Sequence, residues 1–209
     1  MKIAIIGAGG HSKVVFDAVY SANKHKVAGF VDDNPKLAGT VFLSLPVVNK
    51  IESLKGVKGF IVALGDNAVR KAKYEFYRSK GYLPVNAIHK SAIISPYAGI
   101  GEGVAVFANV VINSGSSIGD NVILYTACTV DHDCRICEHA YVSPGCNIAG
   151  QVKIAAGAFL GSGAVILPRL SIGEWSIIGA GAVVLKDIPA YVTAVGVPAE
   201  DIKKLRETI

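Results

Sequence analysis

IGEGVAVFANVVINSGSSIGDNVILYTACTVDHDCRICEHAYVSPGCNI, residues 100–148, carries Ile, Val or Leu at every sixth position. The series extends well beyond this stretch. It runs through Ile88, Ile94, Ile100, Val106, Ile112, Ile118, Leu124, Val130, Ile136, Val142, Ile148, Ile154, Leu160, Ile166, Ile172, Ile178 and Val184 without an exception. A period of six matches neither a helix nor a plain strand, but it fits a β-helix in which each flat face uses one hexapeptide. Two residues earlier stands a second column, small or apolar, that includes Ala98, Val110, Cys128, Ala140, Cys146 and Ala182. In a strand, i and i−2 point the same way, so both columns face inward and define a core. Between them fall Gly101, Gly119, Asp120, Asn121 and Gly173, expected at corners where a positive φ is often needed. Three hexapeptides close a triangular coil of about eighteen residues, so residues one coil apart stack at roughly 4.8 Å.

Working outward, the amino-terminal segment has a different grammar. Residues 2–7, KIAIIG, form an apolar run ending in Gly7-Ala8-Gly9-Gly10-His11-Ser12, followed by helical spacing through Val14, Val15, Ala18 and Val19. A second strand, Val27 to Val31, ends in Asp32-Asp33, and a third, Gly59 to Leu64, ends in Gly65-Asp66-Asn67 before another helix. Strand, glycine turn, helix, strand and acidic end is the order of a Rossmann-like βαβ unit, whose ligands bind at the carboxyl ends of the strands. Gly7 and Gly9 let backbone approach a phosphate, while Asp32 or Asp33 can accept from a ribose or base. Ser12 occupies the sixth position of the loop where a nicotinamide fingerprint has glycine, and the unit is short. A mononucleotide such as the nucleoside diphosphate of an activated sugar fits better than NAD. Pro84 and the change of period put a boundary near residue 85, giving an α/β Rossmann-like domain over 1–85 and a β-helix with a short carboxy-terminal cap over 86–209.

Composition is consistent with a soluble cytoplasmic enzyme. The chain has 209 residues, of which 51% are hydrophobic, but no apolar run reaches the length of a membrane span. The opening residues read as a first strand, not an export signal. The net charge of +5 comes from scattered Lys and Arg without an aromatic-basic stripe, which suits a polyphosphate ligand and does not require nucleic acid. Cys128, Cys134 and Cys146 lie in the inward column and Cys137 follows an inward residue, so reduced packing thiols are expected, not a nucleophile, disulfide or zinc site. Of the five histidines, His132 sits between Asp131 and Asp133 with its side chain directed outward. A carboxylate beside an imidazole fixes its tautomer and raises its basicity, as a general base requires. Stacking puts Ser114 one coil before His132 and Gly150 one coil after, small neighbours that leave room for substrate.

GAGGHSKV, FVDDN, ALGDN, TVDHDC, VSPG and GVPA occur in this order along nearly the whole chain, which resembles the bacterial sugar acyltransferases of the NeuD/PglD type. Sialic-acid O-acetyltransferases and UDP-4-amino-sugar N-acetyltransferases belong to that family. The resemblance implies a left-handed parallel β-helix, a homotrimer, and acetyl-CoA bound between neighbouring β-helices without a metal. It implies His132 as general base with Asp133 as its acidic partner, and Gly7, Gly9, Gly10, His11, Ser12, Asp32, Asp33, Gly65 and Asn67 as nucleotide-sugar contacts. Tyr141, Gly150 and Ala180 are the implied acetyl-CoA contacts. Family members commonly carry a second His where this chain has Tyr141, while His139 stands two residues early; either the Tyr141 hydroxyl supplies a donor there or that role is absent. The expected reaction is direct transfer of acetyl from acetyl-CoA to the amine of a UDP-4-amino-sugar, with sugar O-acetylation as the alternative. A zinc hydratase on the same solenoid would need converging histidines, and a purely structural solenoid would have no use for the glycine loop. Beyond the last repeat, Asp201–Thr208 reads as a short capping helix whose Lys203, Lys204 and Arg206 face solvent or the CoA phosphates.

Overall fold

Each hexapeptide in the computed structural model, which describes residues 1–204, forms a two-residue strand and a corner. Strands from Ala87–Ile88 to Ile177–Ile178 build a first wall, those from Ile93–Ile94 to Val183–Val184 a second, and those from Gly99–Ile100 to Ser171–Ile172 a third. Val111 pairs with Thr129, Ser117 with Arg135 and Ile123 with Tyr141, all parallel and each eighteen residues on. The coil is left-handed. Both expected inward columns lie in one continuous core, including Val110, Ile112, Cys128, Val130, Cys146 and Ile148. Ile88, Ile94 and Ile100 are only partly buried, because no earlier coil lies over them.

The corners follow a rule that the sequence pattern hid. Every sixth residue from Gly103 to Gly181 has a positive φ, and eight of these fourteen positions are not glycine, Asp133, His139 and Trp175 among them. Gly101, Gly119 and Gly173, expected to supply that conformation, do not. They are glycine for lack of space: a Cβ on Gly119 would stand 2.7 Å from the Glu138 nitrogen of the next coil.

The amino-terminal domain is a six-stranded sheet of β1 (Lys2–Ile6), β2 (Lys26–Val31), β3 (Val41–Phe42), β4 (Leu45–Val48), β5 (Gly59–Val62) and β6 (Leu83–Pro84), ordered β3-β4-β2-β1-β5-β6. Only β3 runs antiparallel to its neighbour, in a hairpin with β4 that the sequence pattern did not announce. Successive β1 residues face opposite sides. Ile3 and Ile5 pack with Val15 and Val19 of α1 (Gly10–Ala22), whereas Ala4 and Ile6 pack with Tyr74 and Tyr77 of α2 (Asn67–Ser79). The same α1 cluster continues into Ala87, Ala105, Phe107 and Ile123, so α1 is wedged between its own sheet and the outside of the first wall.

At the far end, the chain departs from the expected helix over Asp201–Thr208. Val192–Val195 extends the first wall, and Glu200–Lys204 folds back as an antiparallel strand on it. A solenoid leaves its last strand with unpaired N–H and C=O groups, and pairing them with a returning strand satisfies more of them than a helix laid across the end. The remainder of that expected helix, with Arg206, lies outside the described residues.

Ile148 is 1% exposed at the centre of the prism. Ile148→Ala is expected to lower unfolding free energy by about 2–5 kcal/mol through lost burial and the cavity left behind, measurable by urea denaturation.

Candidate active site

His132 occupies a corner between the second and third walls, in the turn between strands Thr129–Val130 and Arg135–Ile136. The two flanking carboxylates do different work. Asp131 Oδ1 accepts the His132 backbone N–H at 2.8 Å and the Asn113 side-chain amide at 2.9 Å, which tie the corner to the coil before. Those bonds hold the Asp131 carboxyl below its usual pKa, the Asn113 contact contributing most. Asp133 Oδ2 lies 2.9 Å from His132 Nδ1. Since a carboxylate only accepts, Nδ1 carries the proton and Nε2 is left with its lone pair. This hydrogen bond, aided by the charges of both aspartates, raises the His132 pKa above its ordinary value.

The dyad is seated over two glycines. A Cβ on Gly150, one coil on, would come within 2.6 Å of His132 Nε2, and a Cβ on Gly115, one coil before Asp133, would overlap the Asp133 carboxylate. Gly150 is itself buried beneath the imidazole, while Ser114 on the other side is exposed. Underneath, the fully buried Ser116 Oγ donates to Asp131 O at 2.6 Å and accepts from Cys134 N at 2.9 Å. One hydroxyl thus brackets the corner on both sides of the dyad. Burial raises the thiol pKa of Cys128, Cys134 and Cys146, the last to about 11, and withholds thiolate character from all three.

A second cluster forms at the amino-terminal sheet. The chain builds β1, β2 and β4 in one direction and then crosses to β5 on the other side of β1, so the crevice between the carboxyl ends of β1 and β5 is the topological switch point. Gly7 follows β1 with φ +111°, and a Cβ there would stand 2.8 Å from Ala63 O. No neighbour lies within 4 Å of a Cβ built on Gly9, Gly10 or Gly65, which leaves the rim open. Helix α1 starts at this rim with neither a side-chain cap nor an acidic residue in its first turn, an arrangement that favours an anion.

The remaining expected contacts are spread unevenly. Asp32 braces the loop, accepting the N–H of Ala8 through Oδ2 and of Asn34 through Oδ1, each at 2.9 Å. Asp33 is exposed and paired with Lys73. Ser12 is fully buried, under the loop and not on its surface. The His11 Nδ1 lies 3.0 Å from the Tyr125 hydroxyl of the first wall, and burial together with nearby Arg70 lowers its pKa to about 4, so it is neutral at physiological pH. Asn67 donates to Gly157 O at 2.9 Å. A pocket of about 360 Å³ opens beside it, walled by Phe159, Trp175 and Ile177.

These two clusters do not meet within one chain. The amino-terminal domain covers the first wall, and His132 projects from the corner opposite that wall. Tyr141 stands on the first wall with its ring 5.7 Å from Tyr125 and 5.0 Å from Phe159, across the prism from His132 of its own chain. Ala180 is exposed at the corner between the first and second walls. His139 is buried at the third corner, its Nδ1 2.9 Å from the Asn121 amide, so it does not converge with His132 on a metal.

Residues 2–76 match the family model described as the PglD N-terminal domain, and residues 151–186 match that of the bacterial transferase hexapeptide. A histidine variant of perosamine N-acetyltransferase from Caulobacter crescentus, solved with CoA and GDP-perosamine, is 41% identical with a TM-score of 0.92 over 98% of each chain. The chain belongs to the NeuD/PglD-type sugar acyltransferases. The acetyltransferase domain of PglB from Neisseria gonorrhoeae FA1090, solved with acetyl coenzyme A, is 34% identical with a TM-score of 0.88, covering 96% of this chain and 98% of that one. A curated UDP-N-acetylbacillosamine N-acetyltransferase of Bacillus subtilis (strain 168) is 35% identical over 111 residues, about half of its own length (51%).

In this NeuD/PglD-type acyltransferase, two residues at the site escaped sequence reasoning. Ser116 sits in a column of small inward residues and looks like packing until its hydroxyl is seen to hold the corner. Arg70 lies on α2, where the sequence reading singled out no residue, and it is fully buried. Asp133→Asn removes the carboxylate charge that favours the imidazolium, so the His132 titration midpoint is expected to move down from its raised value. A nitrogen-detected NMR titration of the wild type and the variant measures that shift directly.

Proposed function

We propose that this protein transfers the acetyl group of acetyl-CoA to the amine of a nucleoside-diphosphate-linked amino sugar, a UDP-4-amino-sugar in the reading that the glycine loop favours. The observation that carries this is the His132–Asp133 pair, with Nδ1 held at 2.9 Å and Nε2 aimed over the bare α-carbon of Gly150. Relatives across the full length support it, since the Caulobacter enzyme is named a perosamine N-acetyltransferase and was solved with CoA and GDP-perosamine. The Caulobacter and Bacillus relatives are both named N-acetyltransferases, which favours an amine acceptor over the hydroxyl of a sialic acid.

In the proposed mechanism the amine attacks the thioester carbonyl, and His132 Nε2 takes the proton that the new amide must lose. Asp133 stabilises the imidazolium formed. As the C–S bond breaks, that proton passes to the CoA thiolate, leaving the N-acetylated sugar and CoA. The Gly150 backbone N–H stabilises the oxyanion of the tetrahedral intermediate, those of Ala149 and Gln151 being held by Ile166 O and His132 O. The elevated thiol pKa values argue against an acyl-cysteine step.

Separation of the clusters supports a further part of the proposal. The glycine loop and Tyr141 of one copy meet His132 of a neighbouring copy in a homotrimer, with acetyl-CoA lying between adjacent β-helices. Tyr141 then reaches the reacting carbonyl only from the neighbouring chain. No described helix is long and apolar enough to cross a membrane. We place the reaction in the cytoplasm.

His132→Ala is expected to lower kcat by about 10²–10⁴-fold with the acetyl-CoA KM nearly unchanged. A steady-state assay with UDP- and GDP-linked 4-amino-sugars against free sialic acid tests it, and turnover equal to the wild type, or preference for sialic acid, would refute the proposal. Because the base works only when neutral, kcat/KM should fall as pH drops through the His132 pKa, at a midpoint above 6.5. The shared site is tested by mixing inactive variants. Gly10→Asp puts an acid at the α1 N-terminus, where it suits the helix but repels a diphosphate. Co-refolded with His132→Ala, it is expected to restore activity that neither variant shows alone; failure to complement would place both half-sites in one chain.

A further inference from the structure

Arg70 is fully buried, and among the described residues it forms no ion pair. Its guanidinium donates to uncharged acceptors on both domains. On the amino-terminal side Nη1 reaches Asn67 Oδ1 at 2.7 Å and Leu64 O at 3.4 Å. On the β-helix Nη2 reaches His139 O at 2.6 Å and Nε reaches Asn121 O at 3.2 Å. Leu64 and Asn67 bracket the Gly65-Asp66 turn, one lip of the switch-point crevice. Asn67 is tied a second time to the β-helix through Gly157 O.

Burying a cation without a counter-ion opposes folding, and an aliphatic residue could seal this interface without that cost. What an aliphatic residue lacks is the planar fork, which holds acceptors on both domains in a single geometry. We infer that Arg70 is a positioning residue for the acceptor: it holds the Gly65–Asn67 turn in register with the β-helix, so that a nucleotide sugar in the crevice presents its amine at a set place. The inference rests on the function proposed above for that crevice. Acetyl-CoA, placed along the β-helix, should be indifferent to Arg70.

Calorimetry of the wild type with UDP and with GDP comes first. Binding of either supports the crevice as the nucleotide site; binding of neither overturns that reading and this inference together. Arg70→Lys then keeps the charge and loses the fork. It is expected to raise the acceptor KM about tenfold or more and to lower kcat, with the acetyl-CoA KM within about twofold of wild type. Asn67→Ala, which keeps the buried cation and removes its shortest amino-terminal contact, should show the same split in milder form and covers the case in which Arg70→Lys fails to fold. Wild-type nucleotide binding that both variants leave intact, or losses that fall equally on donor and acceptor, would overturn the positioning role and leave the crevice reading standing.

Discussion

Stacking in register is the constraint on which the rest of this molecule depends. A coil of the prism has no interior of its own; its aliphatic side chains are buried only by the coils above and below. Each coil must therefore repeat the position of the last, and an eighteen-residue repeat lets Ile112, Val130 and Ile148 lie in one column with nearly full burial. The same register determines what surrounds His132. Gly150 is below it and Ser114 above it because the coil length puts them there, and a shift of one residue would replace the bare α-carbon under Nε2 with a side chain.

The regular scaffold leaves its irregular chemistry to the corners. Walls offer only two residues per strand, one of them inward, whereas corner residues project freely and, from Gly103 to Gly181, one in each corner takes a left-handed conformation. Asp133 adopts it with φ +58° and turns its carboxylate back on to the neighbouring imidazole. Neither residue is buried, so the strength of this pair comes from geometry and not from a low dielectric. In an assembled oligomer, a neighbouring surface would exclude water from the pair and strengthen the interaction.

Docking of the amino-terminal domain on the first wall is equally consequential. Wedged between two sheets, α1 joins their cores through Phe107 and Ile123, so the glycine loop is held rigidly to a wall that faces away from His132 of the same chain. In the shared site proposed above, this arrangement leaves each copy incomplete by itself. It also explains why buried and half-buried polar groups gather at the junction: His11, Arg70 and Asn67 all cross between the domains, with partners on the first wall or its corners.

Much of this was legible in the linear order of residues. The period of six announced the prism, its core columns and the outward direction of His132, because a repeat that short leaves one way to bury the aliphatics. The glycine loop and the acidic strand ends likewise announced a βαβ unit. Asp133 as the partner and Gly150 one coil on were expected from the sequence, but the directions of the Asp131 and Asp133 carboxylates and the opposition of the two clusters were settled only in three dimensions. They depend on corner dihedrals and on which wall the amino-terminal domain covers, and no local pattern encodes either. Ser116 and Arg70 were hidden for a related reason, since a buried hydroxyl or guanidinium is identified by its distant carbonyl partners. The closing strand Glu200–Lys204 replaced an expected helix because its backbone answers an open edge. Periodic local burial is written into the sequence; the pairing of surfaces far apart along the chain is decided by the tertiary structure.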